Sequence, residues 1–165
     1  MMKESQGKTV YLRDYRVPEF LIDQTLVDFS LHEDHALVTA RLTLRRNPAS
    51  EARHALLVLD GRQLELLSLK LDGRELEAAG YAVDEAHLTV PGVPDSFTLE
   101  SVVRIRPQDN TSLEGLYKSR VMFCTQCEAE GFRKITWYLD RPDVLSSFTT
   151  RIEADRKRYP VLLSN

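Results

Sequence analysis

Three short runs of this chain combine residue types at spacings that could do chemistry. The first, His32-Glu33-Asp34-His35, packs two imidazoles and two carboxylates into four positions. A zinc-hydrolase helix sets its two histidines four apart so that both imidazoles project from one face, with a glutamate beside the first. Here the spacing is three. In an extended hairpin the two side chains are expected on opposite faces, so the run reads as a solvated turn. His54 and His87 stand alone, with no serine or cysteine neighbour to suggest a nucleophile activated by a base. No glycine-rich phosphate loop occurs.

The second run is Cys124-Thr125-Gln126-Cys127. Such a pair can hold half of a tetrahedral zinc site, can run thiol exchange, or can be two half-buried free thiols. A zinc site needs two more ligands, and only scattered histidines or a carboxylate are available. A redox pair opens a helix in a βαβ unit, whereas the surrounding pattern here is β-hairpins. Free thiols are therefore favoured over the other two. The third run, Gln126-Cys127-Glu128-Ala129-Glu130-Gly131-Phe132-Arg133, overlaps the second and is rich in polar and charged groups.

The elements that must carry these groups show mainly a period of two, the pleat of half-buried strands. Val27, Phe29 and Leu31 share one parity, as do Ala36, Val38, Ala40, Leu42 and Leu44, and the short polar run between them predicts a hairpin. Leu67, Leu69 and Leu71 run into Asp72-Gly73, a pair suited to a type I′ turn. Leu64 and Leu66 have the opposite parity, which predicts a bulge near Leu66-Leu67. Val83, Leu88 and Val90 predict two short strands around Asp84-Glu85. Phe97, Leu99, Val103 and Ile105 predict another that ends before Pro107, and Phe148, Thr150, Ile152 and Ala154 a late one. Many short strands with turn signals predict an all-β fold, an antiparallel β-sandwich or curled, saddle-like sheet. From Pro107 to Asp143 the period is lost, and that stretch is expected to be a long functional loop.

Composition narrows the function classes. With 42% apolar and 28% charged residues the chain is globular rather than disordered, and its 165 residues are expected to form one domain spanning 1–165. At that length folding buries roughly 70% of the extended chain's surface, so no disulfide or metal staple is required. Twenty-two basic against twenty-five acidic residues leave a net charge of -3, which gives no pull toward nucleic acid or anionic membrane. No apolar stretch approaches the length of a membrane helix, and Met1–Tyr15 has no signal-peptide core. Two cysteines and no export signal fit a reducing cytoplasm.

Gln126 through Arg133, followed by Trp137-Tyr138-Leu139-Asp140-Arg141-Pro142-Asp143, resembles the N-terminal domain of the M1 family of zinc aminopeptidases, in its bacterial aminopeptidase N branch. The likeness extends through Asn110-Thr111-Ser112-Leu113-Glu114-Gly115-Leu116-Tyr117, Tyr159-Pro160-Val161-Leu162-Leu163-Ser164-Asn165 and Tyr11-Leu12-Arg13-Asp14-Tyr15, so it covers essentially the whole chain. The resemblance implies that Glu128 binds the free α-amino group of a peptide substrate and that Gln126 lines the pocket for the first side chain. The physical logic stands beside it: an exopeptidase must tell a terminal ammonium from an internal amide, and a fixed carboxylate does so. Glu130 falls outside the matched position and reads as a structural or solvated carboxylate. Arg133 and Asp140-Arg141-Pro142-Asp143 read as loop braces.

The chain departs from the family pattern in holding neither His-Glu-x-x-His nor Gly-x-Met-Glu-Asn, the motifs that supply the family's metal site and second amine-binding glutamate. It is therefore expected to be one piece of a longer polypeptide, recognising the substrate N-terminus beside a downstream catalytic domain, binding no zinc itself and inactive alone. Catalytic residues are expected outside this chain, as are the zinc ligands. Two other readings are a non-catalytic β-sandwich module that binds a protein through the Pro107–Asp143 stretch, and a small zinc or thiol protein built on the two cysteines.

Overall fold

The computed structural model describes residues 11–164 apart from Arg53. Most of the segment on which the signal-peptide reading rests, residues 1–10, lies outside the described residues, as does Asn165. Among the described residues no helix is long and apolar enough to cross a membrane.

Among the described residues eleven strands follow one another: β1 (Phe20–Leu31), β2 (Ala36–Arg46), β3 (Leu57–Asp60), β4 (Glu65–Leu71), β5 (Arg74–Glu75), β6 (Ala82–Val83), β7 (His87–Val90), β8 (Ser96–Ile105), β9 (Gly115–Ser119), β10 (Met122–Gln126) and β11 (Ser147–Ala154). They form a six-stranded sheet in the order β11-β1-β2-β8-β4-β5, a three-stranded sheet β3-β7-β6 and the β9-β10 hairpin. The buried face of the large sheet and that of the three-stranded sheet share one core. Val38, Leu42 and Leu99 come from the first; Leu57, Leu59, Leu88 and Val90 come from the second. This is the all-β, sandwich-like architecture that the period of two predicts.

Local sequence explains the register. The β1–β2 pairing shifts between Ile22 and Gln24, so inward-facing residues change from Phe20 and Ile22 to Thr25, Val27 and Phe29. A one-residue bulge is the way an extended strand changes parity without losing its buried face. The β4–β8 register likewise shifts between Leu66 and Ser68, and Leu67 turns to solvent while Leu66, Leu69 and Leu71 pack on the core. Asp72 and Gly73 both take positive φ, 49° and 77°, as a type I′ hairpin turn requires.

Two expectations change. The late strand β11 is not antiparallel: it pairs parallel to β1, with Val27 opposite Thr150 and Phe29 opposite Ile152. No tight turn joins these strands, so nothing local fixes their relative direction. The second change is larger. The stretch from Pro107 to Asp143 is not simply a long loop, because it contains the β9–β10 hairpin and then a run, Ile135 to Asp140, in which every residue is buried. Tyr138 exchanges backbone hydrogen bonds with Asp60 at 2.8 and 3.1 Å, and Thr136 Oγ1 lies 3.3 Å from Ser101 Oγ inside the core. A segment covered on both faces has no polar side to alternate with, so it shows no period of two.

Candidate functional site

Strands β9 and β10 form a two-stranded hairpin whose register ends with Gln126 opposite Gly115. Beyond Gln126 the chain turns through Cys127–Gly131 into a short 3₁₀ turn at Phe132–Lys134 and then into the buried run. Gln126 and Glu128 are both exposed at this turn. The Gln126 amide Nε2 donates to the Glu128 carbonyl at 3.4 Å, and the Gly131 N–H donates to the Cys127 carbonyl at 2.9 Å, closing the turn on itself.

Two glycines set its shape. A β-carbon on Gly131 would fall 2.6 Å from the Gln126 carbonyl oxygen and 2.9 Å from the Cys127 Cα. Gly115 has a φ of +69°, and a β-carbon there would sit 2.6 Å from Lys134 Cβ. All three contacts are closer than a β-carbon tolerates, so neither position has room for a side chain.

Below the turn lies an ionic brace. Arg133 donates from its backbone N–H and its Nε to Asp140 Oδ2, at 3.0 and 2.7 Å, and from Nη2 to the Asp140 carbonyl at 2.9 Å and Glu130 Oε2 at 3.1 Å. Asp140 is 5% exposed. Its own N–H donates to Asp60 Oδ2 at 3.2 Å, which ties the brace to β3. Arg141 clasps Asp143 with two bonds of 2.9 and 2.7 Å and donates to the Arg16 carbonyl, while Tyr15 Oη donates to Asp143 Oδ2 at 2.9 Å. Glu128 has no ion-pair partner among the described residues, in contrast with Glu130. The ring of Phe132 packs edge-on against Tyr138 at 4.7 Å and Phe148 at 5.6 Å, anchoring the far side of the turn.

The thiols of Cys124 and Cys127 are unpaired and half-buried. Burial, aided by the negative charge of Asp140, pushes the Cys127 thiol up to about 11. A thiol so far from ionisation is a poor nucleophile and a poor metal ligand at neutral pH. Among the described residues no three or more His, Cys, Asp or Glu side chains converge as a metal site would require.

His32 and His35 correct one expectation. Their rings stack with centroids 4.6 Å apart, on one face rather than two. They flank the two-residue loop Glu33-Asp34, and the His32 N–H donates to the His35 carbonyl. Residues that close a hairpin loop face each other across the strands, so alternation along the chain does not separate them. Their nitrogens serve neighbours: His35 Nδ1 lies 2.7 Å from Asp34 Oδ1 and His32 Nε2 lies 3.1 Å from Ser30 Oγ.

Residues 23–165 match the Peptidase M1 N-terminal domain. The chain is 48% identical to aminopeptidase N of Caulobacter vibrioides over 164 residues, covering 99% of this chain and 18% of that protein. It is 44% identical to aminopeptidase N of Escherichia coli over 165 residues, again 18% of that protein. The crystal structure of Legionella pneumophila aminopeptidase A superposes with a TM-score of 0.87 and 31% identity, over 93% of this chain and 18% of that one. The chain thus spans less than a fifth of the length of these relatives. An all-β architecture and a match running across the braced turn place the chain in the M1 peptidase family, as the N-terminal domain of the bacterial aminopeptidase N branch.

Proposed function

We propose that residues 1–165 are the substrate-recognition domain of a cytoplasmic zinc aminopeptidase, which removes residues from the free N-terminus of peptides. Its Glu128 carboxylate receives the substrate α-ammonium, and Gln126 borders the pocket for the first side chain. The observation that carries this reading is the contrast within one turn: Glu128 is exposed and unpaired among the described residues, while Glu130 is held by Arg133 at 3.1 Å. An ammonium with three N–H donors is best met by a carboxylate that no other cation occupies and that a rigid turn holds in place.

Among the described residues no three or more His, Cys, Asp or Glu side chains converge as a zinc site would require; in this reading the metal of the intact enzyme is held by ligands outside this chain, and this domain's part is binding and orientation. Its partner is the catalytic domain of the same polypeptide. A groove of about 370 Å³ supports that pairing: Val27, Phe29, Phe132, Phe148, Ile152 and Leu163 line it. Phe148 and Leu163 are 49% and 85% exposed there, apolar surface that a neighbouring domain would cover.

The test is steady-state kinetics of the intact enzyme carrying this domain. Truncating one partner of a desolvated charge pair costs on the order of 2 to 5 kcal/mol, so Glu128→Ala lowers kcat/KM by roughly thirty-fold or more. Gln126→Ala, which removes a neutral contact, costs about 1 kcal/mol. Glu128→Ala also weakens discrimination against N-acetylated peptides. Unchanged kcat/KM in Glu128→Ala, or a larger loss in Glu130→Ala, overturns the reading.

A further inference from the structure

The turn carries two carboxylates two residues apart, and chemistry alone does not say which one meets a substrate ammonium. What separates them is Arg133. Its side chain is largely shielded, 16% exposed, and reaches outward to Glu130 and inward to Asp140 with the same guanidinium. The inward contacts are short and doubled, with Nε on the Asp140 carboxylate at 2.7 Å and Nη2 on its carbonyl at 2.9 Å. Asp140 is fixed in turn by the Asp60–Tyr138 backbone pair. The guanidinium therefore has little freedom to follow a moving partner; Glu130 must come to it.

We infer that Arg133 is the positioning residue that selects the ammonium-binding carboxylate: by holding Glu130 in an ion pair at 3.1 Å at the edge of the turn, it leaves Glu128 to receive the substrate. This rests on the reading of Glu128 given above. Without the guanidinium, Glu130 becomes a second free anion within the same turn. A substrate amine that pairs with it sits out of register with the reacting bond, and a misplacement of about 1 Å is enough to cost catalysis on the order of 10²-fold.

A double-mutant cycle in the intact enzyme tests this. Glu130→Gln alone is expected to leave kcat/KM within about twofold of wild type, and Arg133→Gln to lower it by about tenfold, a coupling well inside the range for residues sharing a charge network. The decisive variant is Arg133→Gln with Glu130→Gln, which should recover kcat/KM to within about threefold of wild type. A brace that merely stabilises the fold through Asp140 gives no such rescue. If Arg133→Gln does not fold, as judged by its melting transition, Arg133→Lys with and without Glu130→Gln replaces it, since an ammonium on a flexible stem cannot hold both partners at once. Absence of rescue, or an Arg133 variant that keeps wild-type kcat/KM, overturns the inference. Glu128→Gln in the same series keeps the two claims apart: if it is harmless the reading of Glu128 fails, and if it is damaging while rescue is absent only the role of Arg133 fails.

Discussion

Gly131 and Gly115 lie back to back at the base of the turn, so close that a β-carbon on Gly131 would fall 3.2 Å from the Gly115 amide nitrogen. The same added atom would strike the Gln126 carbonyl oxygen at 2.6 Å. Both obstacles are backbone, which cannot rotate aside. Gly131→Ala is therefore expected to destabilise the domain by roughly 1 to 3 kcal/mol, the range for overpacking a close-packed site. Because the displaced strand end is Gln126, kcat/KM of the intact enzyme falls as well. Denaturant melts and steady-state kinetics check the two effects, and an alanine variant with wild-type values in both removes this account of the turn.

Cys127 offers a chemical probe of the same turn. Its thiol is pushed up from an ordinary 9.0 to about 11, by burial first and by Asp140 second. At pH 8 its thiolate fraction is then about a hundredfold below that of an unperturbed thiol, and alkylation slows accordingly. Iodoacetamide followed by peptide mass analysis should label Cys124 well before Cys127, with the Cys127 rate still rising past pH 9. The folded state binds this proton more tightly than the unfolded one, so the associated stability is present below pH 9 and is lost as pH rises toward 11. Equal labelling rates at neutral pH contradict the burial.

Asp143 gives the opposite sign. The bidentate hydrogen bonds of Arg141, with the Tyr15 hydroxyl adding to them, hold its carboxyl below the usual range. The pair stabilises the fold above the unfolded carboxylate pKa of about 4 and ceases to do so as pH falls through the lowered native value. Their side chains are 34% and 31% exposed, so water screens the pair and Asp143→Asn is expected to cost no more than about 1 kcal/mol at pH 7. The variant's stability should converge with wild type in acid. A difference that persists undiminished to pH 2 shows that the loss is one of packing.

Metal content provides the last check. With no converging ligand set among the described residues and a Cys127 thiol that holds its proton, the 165-residue chain is expected to retain only substoichiometric zinc after dialysis and to hydrolyse no aminoacyl arylamide. Atomic absorption near one zinc per chain reverses that expectation.

The elements whose interactions are local could be read from the residues alone. Alternating apolar parity marked β2 and β8, the Asp72-Gly73 pair marked its turn, and the parity break at Leu66-Leu67 marked a bulge that the β4–β8 register contains. The residues Gln126–Arg133 and Trp137–Asp143 carry the family resemblance in their order and type alone. Tertiary structure decided what depends on partners distant in the chain. The parallel pairing of β11 with β1 joins segments more than a hundred residues apart, and no turn chemistry encodes its direction. Ile135 to Asp140 is core because β3 and Ser101 enclose it, and a run covered on both faces carries no periodic signal. The resemblance already set Glu128 apart from Glu130, but residue type could not say how they differ physically: the reach of Arg133, fixed from below by Asp140, pairs Glu130, while Glu128 has no ion-pair partner among the described residues.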